Sequence, residues 1–223
     1  MVDSANAATT TGGTTLSALT ADAFEGLGTC SLMPDMTAGP FLLDEQFDRS
    51  DITEDYAGHP MRLGLRVLDE SCAAVPGAKV EIWHTDATGD YSAFADSGVG
   101  KDEGEGTTFL RGTQTADENG IVEFMTVYPG WYPGRAVHIH LRVHLDEATV
   151  LTSQMFFTDD YTAGVFATGP YAEFGLPDTS NESDGVAGDP GADGTLLHTT
   201  AGETSRGAGT LALLNLGIDP SAR

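Results

Sequence analysis

The sequence predicts an all-β protein, a β-sandwich with long irregular loops and little helix. Short segments alternate apolar and polar residues, which is typical of strands that bury one face. Pro-Gly and Asn-Gly turns separate these segments, and helical periodicity is scarce. Seven segments are predicted to be strands: 61–67, 79–84, 109–115, 121–127, 138–145, 150–157 and 210–217.

The length of 223 residues is typical of one domain, with or without tails. Residues 1–28 are rich in Ala, Thr, Gly and Ser, so we expect an N-terminal arm or tail with a short helix near 18–24 and little packing. Residues 29–223 form the predicted β-sandwich domain. Within it, 161–194 lose the strand pattern and gain Gly, Pro, Asp and Ser, which predicts an irregular excursion of the kind that often lines a site.

Charge and hydropathy exclude several classes of partner. Acidic residues outnumber basic ones by 34 to 10, for a net charge of −24, which argues against nucleic acid and anionic membranes. No apolar run approaches the length of a membrane span. The N-terminus shows no charged, apolar leader, so we expect a secretion signal to be removed or never present. An extracellular location is expected, with the cytoplasm as the alternative; a homo-oligomer is compatible with the sequence.

Cys30 and Cys72 are the two cysteines of the chain. They do not form a CxxC zinc pattern. The sequence leaves open whether they are bridged. A bridge would close a long loop, would stabilise the fold by about 3–4 kcal/mol, and would indicate an oxidising compartment.

Two histidines, His138 and His140, lie at i and i+2 in a predicted strand, so their imidazoles share one face. Two imidazoles on a rigid strand suit a metal ion. Two Pro-Gly turns just upstream bracket Trp131 and Tyr132 and hold a tyrosine close to the histidines. Taken alone, the pattern is equally that of a strand with two partly exposed histidines. The other histidines lack ligand spacing and are expected to be structural or superficial: His59, His84, His144 and His198.

Seven motifs occur in a fixed order between residues 37 and 154: TAGPF (37–41), PGAKVEIWHTDA (76–87), GDYS (89–92), FLRG (109–112), PGWYP (129–133), RAVHIH (135–140) and LTSQ (151–154). Together they resemble the intradiol ring-cleaving dioxygenases, the group of protocatechuate 3,4-dioxygenase and catechol 1,2-dioxygenase. The two cysteines, each placed shortly before a proline, are similar to those of the single-domain, secreted-type members.

The resemblance implies a ferric ion held by Tyr91, Tyr132, His138 and His140. Fe(III) is a hard ion that prefers anionic oxygen and also accepts imidazole, and a nearby cation favours the phenolate form of tyrosine. The implied reaction is the cleavage of a catechol-type diol by O2 between its hydroxyl-bearing carbons to give a cis,cis-muconate. In the family the substrate displaces the tyrosine that matches Tyr132, which takes up a proton on leaving.

Two further residues match positions that the family keeps beside the substrate. The resemblance implies that Arg135 stabilises negative charge developing on the substrate. It implies that Gln154 hydrogen-bonds the substrate or a histidine ligand. The substrate ring is less determined, because catechol, protocatechuate and hydroxyquinol differ by one substituent. Arg111 and Arg135 are the obvious cations for a substrate carboxylate. Because basic residues are so few, catechol-type rings are favoured over protocatechuate.

Two other hypotheses stay open. Turns and strands around 76–80 and 119–130 also resemble prealbumin-like modules, which would make the chain a non-catalytic β-sandwich binding module. Alternatively, His138 and His140 could join a carboxylate such as Glu123 in a zinc or Fe(II) site.

Overall fold

The fold is a sandwich of two four-stranded sheets, as predicted. The computed structural model describes residues 16–28, 31–95, 104–146, 148–189, 191–192 and 194–222. The strands are β1 (Pro60–Leu68), β2 (Lys79–Trp83), β3 (Arg111–Thr115), β4 (Ile121–Val127), β5 (His138–Leu145), β6 (Ala148–Phe156), β7 (His198–Thr204) and β8 (Gly207–Gly217). The helix α1 (Asp159–Phe166) and 3₁₀ turns at Ala21–Phe24 and Gly169–Glu173 complete the elements. No helix in these ranges is long and apolar enough to cross a membrane.

The strand order is β4-β1-β8-β7 in the first sheet and β3-β2-β5-β6 in the second. Strands β1 and β8 pair in parallel, whereas the other paired strands are antiparallel. The core lies between the sheets, where Leu63 and Leu65 of the first meet Ile82 and Leu141 of the second, all fully buried. Because successive residues of a strand point to opposite sides, the residues between these core residues lie on the outer face of their sheet.

The outer face of the second sheet carries His138 and His140, because Ile139 between them points into the core. That outer face is nevertheless covered, since the two histidines are only 3 % and 1 % exposed. The cover includes the segment before β1, where the Thr37 carbonyl accepts a hydrogen bond from Gln154 of β6. The histidines are therefore buried, not partly exposed.

The predicted irregular excursion over 161–194 is wrong at its start, where α1 runs from Asp159 to Phe166. Thr158 caps this helix by accepting from the Tyr161 amide at 3.3 Å, and two aspartates occupy the positive N-terminal end. Strand β7 was not predicted from the sequence; it is a mostly exposed edge strand with a polar sequence, and it pairs with β8. Its alternation carries no apolar signal.

The segment 16–28 packs on the outer face of the first sheet, so the expectation of little packing is wrong for this part of the arm. Phe24 is 2 % exposed and joins Leu213 and Leu19 in a small apolar cluster. Gly64 makes the contact possible, because a Cβ there would collide with the side chains of Leu19 and Leu213. The rest of the arm lies outside the described residues.

Cys72 lies between β1 and β2 and is disulfide-bonded. Cys30, the other cysteine in the sequence, lies outside the described residues. A disulfide is typical of proteins that fold in an oxidising compartment.

His84 follows β2 and is completely buried, with Nε2 2.8 Å from Thr126 Oγ1 and Nδ1 2.7 Å from the Thr85 carbonyl. Burial lowers the pKa of His84 from 6.5 to about 4, although the bond to Thr85 acts in the opposite direction. His84 is therefore a neutral structural residue at pH 7.

We expect this histidine to make the metal-free protein acid-sensitive. The unfolded chain takes up the proton near pH 6.5, the folded one only near pH 4, so this stability is present above pH 6.5 and is lost as the pH falls towards 4. The loss should be about 3 kcal/mol. Urea unfolding of wild type and His84→Gln at several pH values between 7 and 4 measures this loss. The difference in free energy of unfolding between wild type and variant should shrink by that amount as the pH falls. An advantage independent of pH would contradict the assignment.

Candidate metal centre

The imidazole of His140 is held between β2 and the segment before β1. Trp83 lies opposite His140 in the β2–β5 register, and its ring stacks on the imidazole at 5.0 Å with planes 2° apart. On the other side, a Cβ on Gly39 would lie 3.2 Å from His140 Cε1, and the φ of Gly39 is +67°. Only glycine fits this close approach without strain.

The loop after β2 delivers Tyr91 to the same place. Asp86 Oδ1 accepts from the amides of Thr88 and Asp90, which fixes the turn immediately before the tyrosine. Tyr91 is fully buried, and Phe41 stacks on its ring at 4.4 Å. The tyrosine is thus held in place by its own loop and by the stacked ring of Phe41.

The loop before β5 delivers Tyr132 and is fastened to the Tyr91 loop at Gly130. The Gly130 amide donates to the Asp86 carbonyl at 2.7 Å, and Thr85 Oγ1 donates to the Gly130 carbonyl at 2.9 Å. A Cβ on Gly130 would lie within 2.7 Å of backbone atoms of the Tyr91 loop. The two tyrosine-bearing loops can approach this closely only because residue 130 has no side chain.

The four predicted ligands converge on one point. His138 Nε2 lies 3.3 Å from Tyr91 Oη, 3.2 Å from Tyr132 Oη and 3.2 Å from His140 Nε2. His138 Nδ1 lies 2.7 Å from the Ala136 carbonyl, which places the proton on Nδ1 and the lone pair on Nε2. Tyr91, which precedes Tyr132 by 41 positions, therefore presents its oxygen to the same small volume as the other three residues.

Burial controls the charge of these four side chains. It raises the pKa of Tyr91 well above its ordinary value, and it raises that of Tyr132 against the opposing effect of Arg135. Burial, followed by the charge of Arg135, lowers the pKa of His138 to about 3. Burial, followed by His138, lowers that of His140 well below its ordinary value. These shifts keep all four groups neutral at pH 7 when no metal ion is bound.

Arg135 adjoins this cluster, and Gln154 contacts Arg135. Arg135 Nη1 lies 3.4 Å from His138 Nε2 and 3.3 Å from Tyr132 Oη. Arg135 Nη2 donates to Gln154 Oε1 at 2.5 Å, and Gln154 Nε2 donates to the Thr37 carbonyl at 2.8 Å. Gln154 thus links the guanidinium to the backbone of the segment before β1.

Arg111 is a second buried guanidinium near the cluster. Its Nε donates to Ser92 Oγ at 2.8 Å and its Nη2 to the Ser92 carbonyl at 3.0 Å. Its Cζ lies 5.7 Å from the centre of the Phe94 ring. Burial lowers its pKa to about 10, which leaves it charged at neutral pH.

Sequence reasoning missed Trp83, the packing role of Phe41, and Asp184. The sequence did contain an indication of Trp83, because this aromatic residue falls on the face of β2 whose other residues are polar. Asp184 left none: it lies in a Gly- and Ser-rich stretch, yet its fully buried side chain pairs with Arg135 at 2.8 Å. Burial raises the pKa of Asp184, but hydrogen bonds led by the Ala187 and Ala136 amides outweigh it and hold the pKa below its ordinary value.

The alternative site of His138, His140 and Glu123 is wrong. Glu123 lies on β4 in the first sheet, where its Oε2 accepts from Arg62 Nε at 2.8 Å, while the histidines lie in the second sheet. Alternation on β4 turns Glu123 outwards, towards the arm. Within the described ranges, no three His, Cys, Asp or Glu side chains are grouped to hold a metal, so the candidate centre depends on its tyrosines.

Comparisons with known proteins identify the family of the chain. A protein-family model described as Dioxygenase matches residues 38–168, more than half of the chain. Catechol 1,2-dioxygenase of a Pseudomonas species is 29 % identical over 171 residues, and that of Acinetobacter baylyi 31 % over 141 residues. These alignments cover 68 % and 54 % of this chain and 54 % and 43 % of the relatives, so the chain spans about half the length of these curated relatives.

Solved structures give a fuller match. An intradiol ring-cleavage dioxygenase from Tetranychus urticae is 34 % identical, with a TM-score of 0.78 over 87 % of this chain and 97 % of that one. Hydroxyquinol 1,2-dioxygenase from Pseudomonas putida shares the fold at 19 % identity, with a TM-score of 0.62 over 89 % of this chain and 70 % of that one. The chain therefore belongs to the family of intradiol ring-cleaving dioxygenases.

Proposed function

We propose that this protein is a non-haem Fe(III) dioxygenase that cleaves catechol-type diols with O2 between the two hydroxyl-bearing carbons, giving cis,cis-muconates. The observation that carries the proposal is the convergence of two phenol oxygens and the His140 Nε2 on His138 Nε2. Such a set of residues has no evident purpose in a β-sandwich that only binds carbohydrate or protein. Family membership supports the same reaction class.

The four side chains fit ferric iron. His138 Nε2 lies only 3.2–3.3 Å from the other three donor atoms, so one ion between them could contact all four. Both imidazoles are neutral, as metal ligation requires, and the lone pair of His138 lies on Nε2. The buried phenols ionise readily only beside a cation, and two phenolates would offset most of the charge of a hard trivalent ion.

When bound, ferric iron would withdraw electron density from a chelated catecholate and so make the ring reactive towards O2. With iron bound, Tyr132 would be a phenolate, and its Oη would take up the proton of one catechol hydroxyl. Arg135 Nη1, 3.3 Å from that oxygen, would orient the diol and stabilise negative charge that develops on it. Gln154 would hold the guanidinium in this position through its Oε1. Phe41, stacked on Tyr91, would keep water from the reacting ring.

We propose a substrate ring without a carboxylate. Among the described basic residues, Arg135 and Arg111 act electrostatically on Tyr91 and His140. Arg135 is paired with Asp184, and Arg111 is bound by Ser92. Both guanidiniums thus already have partners within the protein, and the net charge of −24 repels anions. An extracellular, oxidising location is part of the proposal and is supported by the disulfide at Cys72.

The test is the visible spectrum of the iron-loaded protein, alone and with catechol in the absence of O2. We expect a broad tyrosinate-to-iron band that catechol moves to longer wavelength. Half-saturation with protocatechuate should need at least about tenfold more ligand. Tyr91→Phe should weaken or remove the band. Tyr128→Phe, which alters a tyrosine buried in the core and bonded to Thr162, should leave it unchanged. A colourless protein with stoichiometric iron would contradict the proposal.

A further inference from the structure

Arg135 is fixed from three directions. Its Nη1 faces Tyr132 Oη, its Nη2 donates to Gln154, and its Nε donates to Asp184 Oδ2 at 2.8 Å. The Nε contact fixes the plane of the guanidinium, because Nε joins the guanidinium group to the aliphatic part of the side chain. The direction of Nη1 towards the candidate centre therefore depends on where Asp184 holds Nε.

Asp184 is itself rigidly placed. Its Oδ2 also accepts from the Ala136 amide at 2.7 Å, and its Oδ1 accepts from the Val186 and Ala187 amides at 2.7 and 2.9 Å. Its own amide donates to the Ser180 carbonyl at 2.9 Å. The side chain is fully buried. One carboxylate thus joins the turn around 184–187 to both the side chain of Arg135 and the backbone leading into β5.

A buried Arg–Asp pair is a weak source of stability, because desolvation offsets much of the attraction. Positioning explains it better, since the same oxygen binds the arginine side chain and an amide two residues before His138. Asp184 lies beyond 168, the last residue matched by the family model. The feature therefore comes from the C-terminal part of this chain.

We propose that Asp184 is a positioning residue that aims the Arg135 guanidinium at the candidate centre. The proposal deepens the proposed function and rests on it for the kinetic effect. The structural part stands on the contacts of Asp184 alone.

Asp184→Asn tests the proposal, with Asp189→Asn as the matched control. Asp189 is an exposed aspartate of the same segment whose Oδ1 accepts from the Gly191 amide. The first measurement uses metal-free, ¹⁵N-labelled protein. The Arg135 Nε–H signal should exchange slowly with solvent in wild type and in Asp189→Asn, and should broaden or move to the position of exposed arginines in Asp184→Asn. An unchanged signal would overturn the proposal.

Kinetics of the iron-loaded protein supply the second measurement. Asp184→Asn should lower kcat about 10- to 100-fold with a smaller change in KM, because the arginine acts on charge that develops during the reaction. In an Arg135→Met background the same substitution should change kcat by less than about twofold. An undiminished effect in that background would show that Asp184 acts on the fold and not through Arg135.

The remaining outcomes are also decisive. If Asp184→Asn does not fold, Asp184→Glu, which keeps the charge and displaces it, should fold and shift the Nε–H signal. Failure of both to fold would make Asp184 a stability residue and overturn the proposal. A wild-type protein that binds iron but cleaves no diol would refute the proposed function, while the Nε–H measurement would still decide whether Asp184 orients Arg135.

Discussion

Replacing His138 with alanine is expected to lower iron affinity by more than about 100-fold and to abolish diol cleavage. The loss of affinity should exceed the 10- to 100-fold that is typical when a residue that contacts a metal ligand, but not the metal, is replaced. His138 Nε2 is the atom to which the other three donors and Arg135 are all close, at 3.2–3.4 Å. Iron content after loading and desalting, together with the visible band, measures the effect.

His144→Ala is the matched control for this substitution. His144 lies on the same strand and the same outer face, but it contacts Thr149 at 3.0 Å and Glu81 at 3.5 Å. This variant should keep the wild-type iron content and lose no more than about 1 kcal/mol of stability. Equal iron loss in both variants would mean that the strand, and not the individual imidazole, is what matters.

Gly130→Ala is expected to damage both stability and the centre. The added methyl group would collide with backbone atoms of the loop that carries Tyr91, which cannot move aside cheaply. We expect the free energy of unfolding of the metal-free protein to fall by about 1–3 kcal/mol. Iron affinity should fall about 10- to 100-fold, because the loops bearing Tyr91 and Tyr132 are pushed apart. Urea unfolding and iron content provide the two measurements.

Gly164→Ala introduces the same methyl group where nothing lies within 4 Å, in the middle of α1. It should raise stability by about 0.5–1 kcal/mol and leave iron binding unchanged, since alanine favours helix over glycine. Wild-type behaviour of Gly130→Ala alongside a stabilised Gly164→Ala would show that the two loops are not held together as described.

Much of this architecture was predictable because alternation reports which face of a strand is buried. Each of the seven predicted strands overlaps an observed one. The alternation around Ile139 also predicted that His138 and His140 point the same way. The strand β7 was not predicted, because an exposed edge strand shows no alternation of apolar and polar residues. The helix α1 was not predicted, because its eight residues make only about two turns and give a weak periodic pattern.

The site was predictable to the extent that it is local in sequence. Tyr132, Arg135, His138 and His140 lie within nine residues, and their relative placement follows from one loop and one strand. Tyr91 required the resemblance to a known family, because nothing in its own loop indicates a ligand. Asp184 could not be foreseen, since 49 residues separate it from Arg135 and the contact arises only from tertiary packing.

The parallel pairing of β1 with β8 has a consequence for biosynthesis. All four strands of the second sheet lie between Lys79 and Phe156, so the ribosome releases them well before β8. Until β8 emerges, one edge of β1 has no partner, and an open edge invites pairing with other chains. The first sheet is thus completed last, through contacts distant in sequence, which slows folding. The half that bears the histidines can be assembled while the other half is still being made.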